Sequence, residues 1–357
     1  MLSSFSFQRK SLARPALFVL MATTVFPATA CDSLFGTHKT VQVYPLIGPL
    51  REANTAQLID EANRLAAVES IHGRVDIQFE DTSFAEAGIA DKYRSADGTV
   101  TLQRPGKVYL IVQIPVIAKD VAQMTSDGQH FRVAVLVGDE KYRRFVKGTN
   151  NAVYSKLNAD GSEGEPGRKK KARGEKETVS ALSNLRPQHL TDALMVRAIR
   201  PDLRSSFLYS QSEFFQEEPD TRTGAKKSGR VVRGYYLLEE LSQNDPGKAH
   251  LNRRFWFDRV GTIRLARLQT FDDRGLLVTD VSYSGERPFG ENGRVRLPSH
   301  IVLTRPQDRY KLSVTYQTPE SVVMDREYSP DAFVLENKWQ LPEVDLDAGK
   351  DTRPTSP

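Results

Sequence analysis

The sequence predicts an α+β domain built mainly from antiparallel β-strands, with two helices. Three observations carry this. Short runs of alternating apolar and polar residues are separated by Gly, Pro, Asp and Ser, the pattern of a meander with one dry face. Two segments interrupt it with apolar residues at helical spacing. The 357 residues include a single cysteine, so no disulfide forms within the chain and a core drawn from 39% hydrophobic residues must hold the fold.

Residues 31–49 contain Gly36, Pro45, Gly48 and Pro49 with little periodicity and read as a flexible tether. A helix follows over 54–69, because Leu58, Ile59, Ala62, Leu65 and Ala66 make one stripe on a 3.6-residue repeat. After Gly73 the period becomes two, with Val75, Ile77 and Phe79 on one face. A turn at Ser95–Gly98 precedes a strand over 99–103, and Arg104-Pro105-Gly106-Lys107 makes a second turn. Val108, Leu110, Val112 and Ile114 then share a face. Beyond a turn at Thr125–Gln129, Phe131, Val133, Val135 and Val137 do the same, and 142–147 closes the set. The polar, lysine-rich stretch 159–176 reads as an inserted flexible loop. Pro187 suits a helical first turn, and Leu190, Ala193, Leu194, Met195 and Ile199 line one side of a second helix that ends before Pro201.

A second meander fills 208–317, with strands near 208–215, 231–241, 253–258, 263–271, 276–285, 298–304 and 310–317. A second polar loop insertion lies at 217–230. Phe333 and Val334 mark a short terminal element, and the acidic, then proline-rich composition of 342–357 reads as a disordered tail. One domain over 50–341 results.

The N-terminus carries a different message. Arg9, Lys10 and Arg14 precede an apolar run from Ala16 to Phe26 and then small residues, the order of an export signal occupying 1–30. Cys31 directly after Ala28-Thr29-Ala30 resembles the lipobox of bacterial lipoproteins, although Ala28 stands where that family prefers leucine. The resemblance implies cleavage before Cys31, lipidation of its sulfur and acylation of its new amino group. The other reading is an ordinary secretory signal cut near Ala30. The apolar run is short for a membrane-spanning helix, which needs about 20 residues. An envelope location facing the periplasm follows. Asp32 is a sorting hint that in enteric bacteria disfavours the outer membrane, and the choice between inner and outer membrane stays open.

Chemistry finds little support in the sequence. His38, His72, His130, His189, His250 and His300 are scattered singly, and the one cysteine is taken by the anchor, so no metal site, cofactor or enzymatic activity is expected. Asp272 and Asp273 are adjacent, and adjacent strand residues face opposite ways. The formal charge of +5 falls to +2 without residues 1–30, so nucleic acid is not an expected partner. The run Lys169–Lys171 fits either contact with anionic lipid headgroups or a solvated loop. The apolar strand face of Val108, Leu110, Val112, Ile114, Phe131, Val133 and Val135 fits two readings, a filled core or the wall of a greasy groove.

The order of helix, Gly73-Arg74-Val75, Arg104-Pro105-Gly106-Lys107-Val108, Ser126-Asp127-Gly128-Gln129-His130-Phe131 and 142–148 resembles the LolA/LolB lipoprotein-localisation-factor superfamily. Tyr235-Tyr236-Leu237-Leu238, Arg254-Phe255-Trp256-Phe257-Asp258-Arg259, Tyr283 and Leu297-Pro298-Ser299-His300-Ile301 resemble its second half. The resemblance implies an incomplete β-barrel wrapped around helices, whose apolar cavity binds acyl chains of lipoproteins or other lipids. The lipobox places the chain nearer the anchored LolB side. On this reading the strand face above is the cavity wall, and Leu58, Ala62, Leu65, Leu190 and Leu194 belong to lid helices. The alternative is a non-catalytic docking lipoprotein with a filled core that binds an envelope protein partner.

Overall fold

A computed structural model describes residues 43–82, 91–92, 95–115, 119–137, 140, 143–150, 186–201, 207–226, 228–245 and 247–348. The expected signal segment, Cys31, Asp32 and the 159–176 loop lie outside the described residues. From Leu46 onward the described residues belong to one compact unit.

Helix α1 (Thr55–Ala66) begins where Asn54 caps it: Asn54 Oδ1 accepts from Gln57 N at 3.0 Å, and Gln57 Oε1 accepts from Asn54 N at 2.9 Å. Its predicted apolar stripe, Leu58, Ile59, Ala62, Leu65 and Ala66, is buried. The helix stops short of Glu69, whose N–H instead donates to Asp325 at 2.8 Å as the chain enters β1. Helix α2 (Pro187–Leu194) opens on proline as expected but ends before Ile199. The chain then runs beside α1, where Asn63 Oδ1 accepts from Ile199 N at 2.7 Å and Asn63 Nδ2 donates to Ile199 O at 2.9 Å.

The strands are β1 (Ser70–Asp81), β2 (Asp91–Lys92), β3 (Ala96–Gln103), β4 (Lys107–Ile114), β5 (Lys119–Asp127), β6 (His130–Val135), β7 (Arg144–Thr149), β8 (Phe207–Pro219), β9 (Arg230–Asp245), β10 (Lys248–Asp258), β11 (Arg264–Phe271), β12 (Leu277–Phe289), β13 (Val295–Arg305), β14 (Tyr310–Tyr316), β15 (Val323–Met324) and β16 (Glu343–Asp345). They form one sheet in the order β16-β7-β6-β5-β4-β3-β1-β14-β13-β12-β11-β10-β9-β8, with β2 and β15 also on β1. Every pairing is antiparallel except β16 on β7. The end strands β16 and β8 do not pair, so the sheet is not closed.

One side of the sheet carries the helices. α2 packs on β4, β5 and β13 and α1 on β11, and their apolar side chains join the inward residues of the strands in one cluster. On the other side, the segment after β15 crosses β4–β7. It buries Phe333 and packs Leu335 and Leu341 against Ala134 and Phe145.

Further sequence expectations change, among them the turn at Thr125–Gln129, whose first three residues lie in β5. Asp97 and Gly98 pair with Asp76 and Val75 inside β3 rather than turning, because a Cβ at position 98 would stand 2.8 Å from the Ile111 carbonyl oxygen. Glycine is there for close approach. The loop at 217–230 shrinks to 220–229, because the hairpin ladder runs out to Pro219↔Arg230. Within 342–357, Glu343–Asp345 pairs with Phe145–Lys147, so three residues of that tail form a strand. The end of the tether is also held: Leu46 bridges Val232 and Leu50 bridges Val260.

Candidate functional site

The apolar strand face predicted as a cavity wall is where helix α2 sits. Val108, Leu110, Val112, Phe131, Val133 and Val135 are buried in the same cluster as Leu190 and Ala193, and only Ile114, at the end of β4, is 37% exposed. Leu58, Ala62, Leu65 and Leu190 are buried too, and Leu194 is half-buried against them. These side chains are packed core. Burial rules treat a filled face and a lined groove alike, so the sequence could not separate them.

Open space lies instead where the sheet splits. β11 and β12 pair from Arg267↔Ser282 to Phe271↔Leu277. Before Arg267, β11 follows β10 alone, with Leu265 opposite Phe257 and Arg264 opposite Asp258. Beyond Ser282, β12 follows β13 alone. A β-bulge at Trp256/Phe257 bends the ladder at this point. The strands diverge around a cleft of about 450 Å³, lined by Leu65 and Tyr283 from the helix side and by Tyr235 and Trp256 from the outer side.

Its rim is charged and internally matched. Arg64, Arg233, Arg264 and Arg267 face Glu61, Glu218, Asp258 and Glu286. Glu286 meets the guanidinium groups of Arg64 and Arg296, each at 3.7 Å, and that of Arg264. Burial, followed by the positive charges of Arg296 and Arg64, lowers the Arg264 pKa from its ordinary value. Across the cleft, Arg233 holds Asp258 at 2.5 Å and Glu218 at 3.3 Å, and Tyr235 donates to Glu218 at 2.6 Å. Burial and that acceptor push the Tyr235 phenol far above its usual value, so it stays a neutral donor. Arg267 lies 5.1 Å over the Trp256 ring while its guanidinium binds Asp280.

Leu65, Tyr283 and Pro298 line both this cleft and a narrower crevice behind it. The crevice is walled by Val68, Ile71, Leu194, Val196, Leu297 and Ile301 and has room for only about 30 Å³, the share of one water molecule. Two polar groups hold it shut. Arg104 donates to Val68 O and Val196 O, both at 2.9 Å, and Tyr283 donates to Ala193 O at 3.0 Å. Charged rim, aromatic waist and apolar interior together suit an amphiphile. Among the described residues no three or more His, Cys, Asp or Glu side chains are placed to hold a metal ion. His189 is buried against the Tyr310 hydroxyl at 2.6 Å, and burial, then Arg305 and Arg186, hold its pKa well below the ordinary value.

Tyr283, Trp256, Arg104 and Pro298 all belong to the stretches that resemble the LolA/LolB superfamily, and no sequence pattern marks them as site residues. The divergence of two strands that brings them together leaves no composition signal.

The structural neighbours of this chain include DUF1329 and LolA-superfamily proteins. A DUF1329 family protein from Desulfovibrio piger aligns over 78% of this chain and 95% of its own, at TM-score 0.39 and 11% identity. A LolA superfamily protein from Nitrosomonas europaea aligns over 80% and 99%, at 0.37 and 10%. A putative outer membrane lipoprotein-sorting protein domain from Vibrio parahaemolyticus aligns over 78% and 94%, at 0.36 and 10%. No family model and no curated protein matches. Among the described residues no helix is long and apolar enough to cross a membrane.

Proposed function

We propose that the chain is a cell-envelope lipoprotein, anchored through Cys31, whose sheet curls around α1 and α2 as an incomplete barrel. It accepts the acyl chains of lipoproteins or other lipids for transfer. The observation that supports this is the adjacency of charged cleft and apolar crevice, which share Leu65, Tyr283 and Pro298 as their common wall. Each buried acyl methylene contributes about 0.8 kcal/mol, so a chain that displaces Leu194–Val196 is stabilised by its length. The rim suits a head that carries charge. The part that moves on this reading is the short segment after α2 rather than both helices, and its displacement breaks the bonds of Asn63 to Ile199, Arg104 to Val196 O and Arg253 to Arg197 O.

The test is lipid extraction from the detergent-free protein with mass spectrometry, joined to uptake of a fluorescent fatty acid. Stoichiometric lipid is expected, with uptake abolished by Leu194→Trp, which fills the crevice from a half-buried position. The 30 Å³ crevice also favours a second reading, a docking lipoprotein with a filled core. A lipid-free protein that takes up no probe would establish that reading instead.

A further inference from the structure

Exposed large hydrophobic residues concentrate on one strand. Phe207, Leu208, Phe214 and Phe215 all lie on β8, the end strand of the sheet, and Phe215 is 50% exposed. Near Phe214 and Phe215 the β8–β9 hairpin outruns its support. The β10 ladder ends at Asp258, opposite Tyr235, so the backbone of Arg230–Gly234 lies beyond it and meets Leu46, which bridges Val232 and is itself 51% exposed. Gly234 permits this, since a Cβ there would stand 2.9 Å from Leu50 and 3.3 Å from the Phe215 ring. Phe215, towards the hairpin tip, is therefore beside the point where Leu46 and Leu50 join the sheet.

The tip has the complementary chemistry. Residues 220–230 hold Arg222, Lys226, Lys227 and Arg230; Asp220 pairs Arg222 and Glu217 pairs Arg230, so the two lysines supply the excess positive charge. The turn is ordered by its own bonds, Asp220 N to Gly229 O at 2.8 Å and Gly229 N to Lys226 O at 2.7 Å. Cationic residues above an exposed phenylalanine on a projecting edge fit the headgroup and acyl zones of an anionic bilayer.

We propose that the β8–β9 hairpin is a membrane-docking element that seats Phe215 and Leu46, which share a face, in an anionic phospholipid surface, while Phe214 faces the other way and packs on Trp256. It rests on the reading of Cys31 as the anchor, which delivers this edge to the bilayer, and it orients the fold there.

The experiment uses the full chain carrying Cys31→Ser, so that no acyl anchor contributes. It is sedimented with vesicles of three parts phosphatidylcholine to one part phosphatidylglycerol, and separately with phosphatidylcholine alone. The apolar run at 16–26 contributes equally to every variant and cancels in the ratio. Phe215→Ser should lower the partition coefficient about tenfold, Phe214→Ser on the opposite face should leave it unchanged, and Lys226→Ala should lower it about fivefold on the anionic vesicles only. Equal partition for all variants would overturn the proposal. So would a concentration-dependent dimer without vesicles that the phenylalanine substitutions abolish, since β8 would then pair with a second copy. Fatty-acid uptake by the same variants should be unchanged. Absent uptake with intact docking sinks only the acyl-binding reading.

Discussion

Phe131 on β6 and Phe214 on β8 are both strand phenylalanines, yet one is 0% and the other 40% exposed. The difference belongs to the two halves of the sheet. β4–β7 are covered twice, by α2 on one side and by the C-terminal segment on the other, so that even Gln123 and Thr125, which face outward, are buried. On β8–β12 the helix side is closed, but the outer side carries a ladder of charges: Arg254 with Glu239, Arg233 with Asp258, Arg267 with Asp280. The half covered on both faces stores stability. The half with one wet face is where strands are free to diverge, and the cleft opens there.

Removing Phe131 tests this most strongly. Phe131→Ala should cost roughly 3–5 kcal/mol, and Phe214→Ala under about 1 kcal/mol, by urea unfolding. Similar losses would erase the distinction. The same reasoning changes how the cavity-wall residues are to be probed. An aspartate at Val112 or Val133 would place a charge in packed core and unfold the protein rather than empty a groove.

What the sequence revealed follows the same division. Strands with one wet face alternate, so the second meander was readable to within a few residues at most ends. β5 is hard to read because only Ala122 and Met124 mark its apolar face against Gln123 and Thr125, and its last residues run into the turn signal Ser126-Asp127-Gly128. Gly98 was read as a turn because glycine marks turns and close approaches alike. The stripe of α1 was plain from Leu58 to Ala66, but the cleft depends on a bulge at Trp256/Phe257 that no residue type announces.

The covered half also holds a buried imidazole. His189 on α2 faces Tyr310, Arg305 and Arg186, and its folded pKa lies well below its ordinary 6.5. The unfolded chain therefore binds the extra proton, so this contribution to stability is complete above about pH 6.5 and declines as pH falls toward the folded value. The slope approaches about 1.4 kcal/mol per pH unit at its steepest. Urea unfolding between pH 5 and 7.5 should show that slope lessened by nearly one proton in His189→Gln. Parallel curves for the two proteins would mean that His189 is solvated in the fold.

The wet face yields the smallest effect. Arg254 and Glu239 meet at 2.6 Å with about a third and a quarter of their side chains exposed. Water screens such a pair, and holding two long side chains in one geometry costs entropy. A double-mutant cycle with Arg254→Ala and Glu239→Ala should therefore return about 0.2–1 kcal/mol of coupling, shrinking further in high salt. A salt-insensitive coupling above about 2 kcal/mol would mean that this face is dry in solution. The two halves would then be covered alike, and the freedom of β11 and β12 to part would need another cause than an open outer surface.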